Sequence, residues 1–225
     1  MTVFISRSLS ATSEFRHLLT AQGWQVTGHS LVTLSALPFA ALPAADWIFF
    51  SSQNAVRFFF QQVDEPGINV PIAQWAALGA ATARELQDYV GAVDFIGSGE
   101  PISTAIAFQM MVPVANTGIT VVFPGARHSQ QSVQRLLADV VQGIHLEVYD
   151  NCPVANPVLR SEKVLVFTNP LNAEAYLVRH TLQPDQRVVA IGETTASALR
   201  RLGVESYRVA AAPTEAALAQ AVLAW

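Results

Sequence analysis

The sequence predicts a doubly wound α/β fold in two related halves, and three observations carry that reading. Apolar runs of strand length alternate with amphipathic runs of helix length along the 225 residues. Several strand-like runs are apolar on both faces, which suits the interior of a parallel sheet covered by helices on either side. Finally, the chain repeats itself. ALGAATARELQDYV (77–90) aligns with AIGETTASALRRLG (190–203), pairing Gly79 with Gly192, Thr82 with Thr195, Ala83 with Ala196 and Leu86 with Leu199. IFFSSQNAVRFFF (48–60) likewise aligns with LVFTNPLNAEAYL (165–177).

The elements follow in order. TVFIS (2–6) is a strand closed by Ser6, and Ser10–Gln22 is the amphipathic run after it. WQVTGHSLVTL (24–34) reads as one long strand. WIFFSS (47–52) has no polar face before its serines, which open the run Asn54–Val63. WAALGA (75–80) turns through Gly79 into Ala81–Val90, and VDFIG (93–97) leads through Gly97-Ser98-Gly99 into Ile102–Met111. ITVVFPG (119–125) echoes the N-terminal strand, turns at Pro124–Ser129 into Gln130–Gln142, and is followed by IHLEVYD (144–150). KVLVFTN (163–169), RVVAIG (187–192) and SYRVA (206–210) then lead into Asn172–Leu182, Thr195–Leu202 and Thr214–Leu223. The echoes come in a different order in the two halves. Contiguous halves joined near Asn116-Thr117-Gly118 are the commoner arrangement. Pro-containing connectors at 34–43 and 152–157 would instead let the chain cross twice.

Composition excludes several functions. Formal net charge is −4, only 13% of residues are charged, and the single lysine, Lys163, joins arginines that never form a run. That leaves no electrostatic footprint for nucleic acid or an anionic membrane. One cysteine, Cys152, excludes an intramolecular disulfide and a cysteine-based zinc site, and fits a reducing compartment. No signal peptide or membrane-spanning run is read, so a cytoplasmic protein is expected. The five histidines share no metal-binding spacing, so no metal is expected. No nucleophile motif is present either.

Four strand-to-helix turns place small polar residues where a helix begins: Ser51-Ser52, Gly79 to Thr82, Thr168-Asn169-Pro170, and Gly192 through Thr194 to Thr195. Open helix starts present unpaired N–H groups and a positive dipole end, and so accept carboxylates without a lysine. The same residues also serve as ordinary helix caps. Arg127, in a turn after a strand, is a further candidate anion clamp. Tyr149 ends a strand, where a packing role competes with a catalytic one.

With FSSQNAVRFFF, ALGAATARELQ, VVFPGARHSQQSVQRLL, LEVYDNCPV, FTNPLNAEAYL and IGETTASALRRLGV in this order, the chain resembles the uroporphyrinogen-III synthase family over essentially its whole length. The resemblance implies two flavodoxin-like domains joined by two connectors. One would be 1–35 plus 154–225 and the other 40–150, with connectors near 34–43 and 150–157. It implies a cofactor-free enzyme that closes a linear tetrapyrrole with eight carboxylates, hydroxymethylbilane, into uroporphyrinogen III with loss of water; a monomer is expected. Helix starts on the two domains would hold the substrate. By resemblance, Tyr149 assists departure of the hydroxyl, and Ser52, Thr82, Asn169 and Thr195 match the family's turn residues; with Ser51, Gly79, Arg127, Thr168, Gly192 and Thr194 from the turns described above, they are the expected substrate-binding residues. Gln53 and Asn169 depart from the family's Thr-Ser-Pro turns, and Ser8 from its Arg-Pro pair. The alternative function is a two-domain small-molecule binding or sensing protein of the same fold.

Overall fold

Eleven strands and eight helices alternate along the residues described by the structure, a computed structural model covering 1–63, 68–112, 118–155 and 162–225. In chain order they are β1 (Thr2–Ile5), α1 (Glu14–Thr20), β2 (Gln25–Gly28), β3 (Val32–Ala36), β4 (Trp47–Phe50), α2 (Gln53–Val63), β5 (Gln74–Ala77) and α3 (Ala80–Val90). There follow β6 (Phe95–Ile96), α4 (Pro101–Met111), β7 (Thr120–Ala126), α5 (Ser132–Leu136), β8 (Gln142–Pro153) and β9 (Val164–Phe167). The last are α6 (Pro170–Leu177), β10 (Arg187–Ala190), α7 (Glu193–Arg201), β11 (Arg208–Val209) and α8 (Glu215–Leu223). Among the described residues no helix is long and apolar enough to cross a membrane.

The chain divides into two compact units: Met1–Thr33 with Cys152–Trp225 as unit 1, and Leu34–Asn151 as unit 2. Residues 156–157 of the second connector, and Asn116-Thr117 of the single-junction alternative, lie outside the described residues. Unit 1 holds the parallel sheet β11-β10-β9-β1-β2. Counted within the unit, that is the flavodoxin-like order 2-1-3-4-5. Unit 2 holds β3-β8-β7-β4-β5-β6. With β7 and β8 taken as its first two strands and β3 as an added edge, unit 2 has the same order, circularly permuted. The permutation explains why the echoes appear in a different order in the two halves.

Burial accounts for most of the repeat. β4 and β9 are buried at all four positions, as befits strands flanked by neighbours and covered on both faces. In unit 2, Ile48 and Phe50 pack with α2 and α3 residues, while Trp47 and Phe49 face Phe108 of α4. Phe108 meets Trp47, Phe49 and Phe95 edge-on at centroid distances of 5.1, 5.3 and 5.1 Å. Emptying such a site costs about 3–5 kcal/mol. In unit 1 the alternation of β1 sends Val3 and Ile5 to α1 and α8 and Phe4 to the opposite face. Thr82, Ala83 and Leu86 of α3 are buried, as are Thr195, Ala196 and Leu199 of α7, so the matched residues occupy equivalent packing positions against their sheets.

Three expectations about elements need correction. Residues 24–34 form two strands, β2 and β3, that belong to different sheets. The break falls at His29 and Ser30, where the Ser30 hydroxyl accepts from the Val32 amide at 3.1 Å and turns the chain. The helix expected over 130–142 is only the five-residue α5, because Gln131 enters it from the left-handed region (φ 52°) and β8 already begins at Gln142. The Pro124–Ser129 turn therefore does not open a helix: β7 runs through Ala126.

Candidate functional site

A cavity of about 270 Å³ opens in unit 2 at the carboxyl ends of β4 and β7, alongside the His145–Tyr149 stretch of β8. Its walls include Ser51 and Ser52, Leu78, Pro101, Phe123 to Ala126, Ser129 to Gln134, His145 and Tyr149, with no Lys, Arg, Asp or Glu among the described residues. In the order 2-1-3-4-5 the connections reverse between the first and third strands, here β7 and β4, and α/β sheets bind ligands in the crevice at that point.

Local structure aims each polar group. The Ser52 hydroxyl caps α2, accepting from the Ala55 amide at 3.2 Å. Ser51, one residue earlier, is exposed at the cavity wall. β7 and β8 pair in regular parallel register up to Gly125 opposite Glu147, after which Ala126 lies opposite Tyr149, so β8 carries one extra residue. Such a bulge redirects the following side chain. Tyr149 accordingly packs with the α2 side of the core, its ring stacked on Phe58 at 5.1 Å and 19°. It is 9% exposed and lines the cavity.

Arg127 stands differently from the expected clamp. Its Nε donates to Glu147 at 2.9 Å, a second nitrogen lies 3.5 Å from Asp150, and its amide donates to the Tyr149 carbonyl at 2.9 Å. It does not line the cavity, and two carboxylates already face its charge. Its contacts fasten the bulged stretch that carries Tyr149.

The glycine turns are built alike, and here capping by threonine proves wrong. Gly79 caps α3 and Gly192 caps α7, both extended and neither offering a side chain to the helix start. Thr82 and Thr195 are the third helical residues, 7% and 2% exposed, turned into the core rather than over the helix end. Thr194, the second, is exposed. Elsewhere side chains do close the helix starts: Ser13 on α1, Ser52 on α2, Glu100 on α4, Asn169 on α6 and Thr214 on α8. Among helices longer than α5, only α3 and α7 therefore start uncapped in the described residues, at positions that the repeat makes equivalent.

Unit 1 gathers its residues at the ends of β9 and β10. Thr168 is bound to Ser6: its amide donates to the Ser6 hydroxyl at 2.9 Å and its hydroxyl to the Ser6 carbonyl at 3.2 Å. Asn169 Oδ1 accepts from the Asn172 amide at 2.8 Å, the ordinary work of a cap.

With this geometry established, comparison with known proteins is decisive. The model of the family described as uroporphyrinogen-III synthase HemD matches residues 13–220. The chain belongs to the uroporphyrinogen-III synthase family. Among solved structures it is similar to the uroporphyrinogen-III synthetase of Helicobacter pylori 26695, at 20% identity and a TM-score of 0.70 over 99% of this chain and 98% of that one. It is also similar to a mutant uroporphyrinogen III synthase of the extremely thermophilic bacterium Thermus thermophilus, at 18% identity and a TM-score of 0.57 over 100% and 99%. At these identities the likeness establishes the two-domain fold. No curated protein matches the chain. As a uroporphyrinogen-III synthase family member it is a cyclising lyase of tetrapyrrole biosynthesis, and the binding-protein alternative is not favoured.

Sequence reasoning missed Ser129 to Gln134 and His145 as cavity residues. Gln130 to Gln134 were hidden inside an expected helix, and Ser129 closed the turn before it, whose candidate was Arg127. His145 carried a signal only in its spacing, an imidazole four positions before Tyr149 on the same strand.

Proposed function

We propose that the unit 2 cavity holds the reacting end of the substrate and that Tyr149 acts there as a hydrogen-bond donor. The reaction is the cyclisation of hydroxymethylbilane to uroporphyrinogen III with inversion of ring D and loss of water. Loss of the terminal hydroxyl leaves an electrophilic azafulvene. Ring D attacks it through its substituted carbon to give a spiro intermediate, which fragments and recloses with that ring reversed. Charge develops on the departing oxygen, and a donor held in place by packing stabilises it without reorganising. The observation that carries the reading is the placement of Tyr149: redirected by a bulge, stacked on Phe58 and lining a cavity whose walls, among the described residues, hold no Lys, Arg, Asp or Glu.

The substrate's eight carboxylates call for a different environment. Their binding is assigned to helix starts, above all the uncapped ones at Gly79 and Gly192-Glu193-Thr194, supported by their lack of a competing side chain. Ser51 and Ser52 at the start of α2, and Thr168 and Asn169 at the start of α6, are assigned to the same task, while Thr82 and Thr195 hold α3 and α7 against their sheets. Arg127 enters the reading as a fastener of β8. The single cysteine supports a cytoplasmic setting, and the enzyme is read as a monomer.

The test is product identity. Incubation with hydroxymethylbilane, oxidation and chromatographic separation of isomers should give predominantly type III, because the free bilane closes without inversion. Type I alone at the blank rate would refute catalysis by this chain. Type III formed at the wild-type rate by Tyr149→Phe would remove Tyr149 from the mechanism.

A further inference from the structure

The cavity wall carries a second polar group, one of whose ring nitrogens is bound to the backbone. His145 Nε2 lies 3.1 Å from the Ala126 carbonyl oxygen. A carbonyl only accepts, so Nε2 carries the proton, and in the neutral imidazole Nδ1 is left as an acceptor. Gly125 keeps the space beside the ring open: a Cβ there would lie 3.1 Å from His145 Cε1, 3.8 Å from Nδ1 and 3.7 Å from the Ser129 hydroxyl. Among the described residues, His145 and Tyr149 are the only ionisable side chains lining the cavity. The other ionisable groups on the adjoining elements include Glu147 and Asp150 of β8, both beside Arg127, Cys152 further along β8, His128 in the turn after β7, Arg135 on α5, Arg57 on α2 and Glu100 at the start of α4, and none of these is among the lining residues.

We propose that neutral His145 accepts, through Nδ1, the N–H of the substrate pyrrole that bears the hydroxymethyl group. This inference rests on the reading that the unit 2 cavity holds that ring. A cavity with donor and acceptor on its walls and no charged side chain suits a pyrrolylmethanol, which offers one N–H and one hydroxyl, better than it suits a carboxylate. At only about 270 Å³ the cavity is below the usual range of about 300–1,000 Å³ for drug-sized ligands, so it takes one ring of the four. As the C–O bond breaks, its electron pair leaves with oxygen. The pyrrole proton passes to Nδ1, and the former N–H pair moves into the ring to form the azafulvene. Hydroxide and the proton on Nδ1 together make the water that is lost. When ring D attacks, the azafulvene nitrogen regains a proton and the α-carbon of ring D finally gives one up, which closes the balance. Tyr149 donates to the departing hydroxyl while His145 draws on the nitrogen that expels it.

Two variants and one labelled sample test the proposal. His145→Phe should lower kcat about a hundredfold, the lower end for a proton-transfer group. It should also abolish the fall in kcat/KM on acidification that the wild type shows when Nδ1 is protonated. His145→Gln retains an N–H for Ala126 and an acceptor oxygen, and should recover part of the rate without the pH response. Melting curves separate loss of fold from loss of chemistry. In wild-type protein labelled with ¹⁵N-histidine, uroporphyrinogen III should shift the His145 resonances. If they shift but His145→Phe keeps the wild-type kcat and acid limb, this inference fails and the cavity reading stands. If saturating product leaves them unmoved, the cavity does not hold the tetrapyrrole and both readings fail.

Discussion

The Thr168 amide donates to the Ser6 hydroxyl at 2.9 Å, tying together the ends of β9 and β1, the two strands that flank the reversal point of unit 1. Register shows what stands there in unit 2. Val3 pairs with Val164 as Val121 pairs with Trp47, so Ser6 corresponds to Pro124 and Thr168 to Ser51. Proline has no hydroxyl with which to repeat the bridge, and both Ser51 and Pro124 line the open cavity. Two copies of one topology thus differ at the ligand position in whether this bridge can form. Ser6 is 1% exposed, so Ser6→Ala should leave the Thr168 amide unpaired and cost about 1–3 kcal/mol in chemical denaturation. A change under a few tenths would show that the bridge is dispensable.

Tyr149→Phe retains the ring and its stacking on Phe58, so its melting curve should match the wild type. Its kcat should fall about ten- to a hundredfold, less than the two to three orders of magnitude of the best-placed donors, because water reaches an open cavity. KM should change much less, since the hydrogen bond strengthens as the hydroxyl leaves. Steady-state kinetics with hydroxymethylbilane decides the point, and a rise in KM at constant kcat would reassign the hydroxyl to ground-state binding.

The repeated glycines should respond unequally to alanine. A Cβ on Gly79 would stand 2.7 Å from Gly99 Cα and 3.0 Å from its amide nitrogen, a collision with backbone that the turn at 97–99 cannot relieve cheaply. Gly79→Ala should therefore destabilise the protein by about 1–3 kcal/mol, as overpacking does. Gly192 has nothing within 4 Å of the same atom and an extended φ of −174°, so Gly192→Ala should fold normally. Its methyl would stand at the uncapped start of α7, and weaker product binding with unchanged melting is expected. Equal destabilisation of both variants would contradict this account.

Glu215 sets an acid limit on unit 1. Burial works to raise its pKa, but the Phe15 amide (3.0 Å), the Ser13 hydroxyl (2.8 Å) and Arg7 (2.5 Å) outweigh that and hold the carboxyl below the usual carboxylate range. A depressed folded-state pKa contributes stability that is fully present above the unfolded value, about 4.3 for glutamate, and is lost as pH falls through the folded value. Glu215→Gln should cost about 1 kcal/mol at pH 7, discounted because the group is partly solvated, and nearly nothing once the wild-type carboxyl is protonated. Urea titrations at neutral and strongly acidic pH should show the two proteins converging. A constant gap would assign the loss to packing.

What the sequence determined by itself was whatever depends on local pattern. Runs such as Trp47–Phe50 and Val164–Phe167, apolar on both faces, marked central parallel strands, and matched Gly-x-x-Thr turns marked equivalent helix starts. Thr82 and Thr195 were legible as a pair, but whether a threonine caps or packs depends on which residue begins the helix, and that was decided when Gly79 and Gly192 took the cap position. Tertiary structure alone decided the rest. His29 and Ser30 break one apolar run into strands of two sheets because pairing partners, not propensity, set where a strand ends. Tyr149 and His145 meet at one cavity only through the register of β8 on β7 and the extra residue before Tyr149. A one-residue shift changes the face of every side chain beyond it, and no period in the sequence records such a shift.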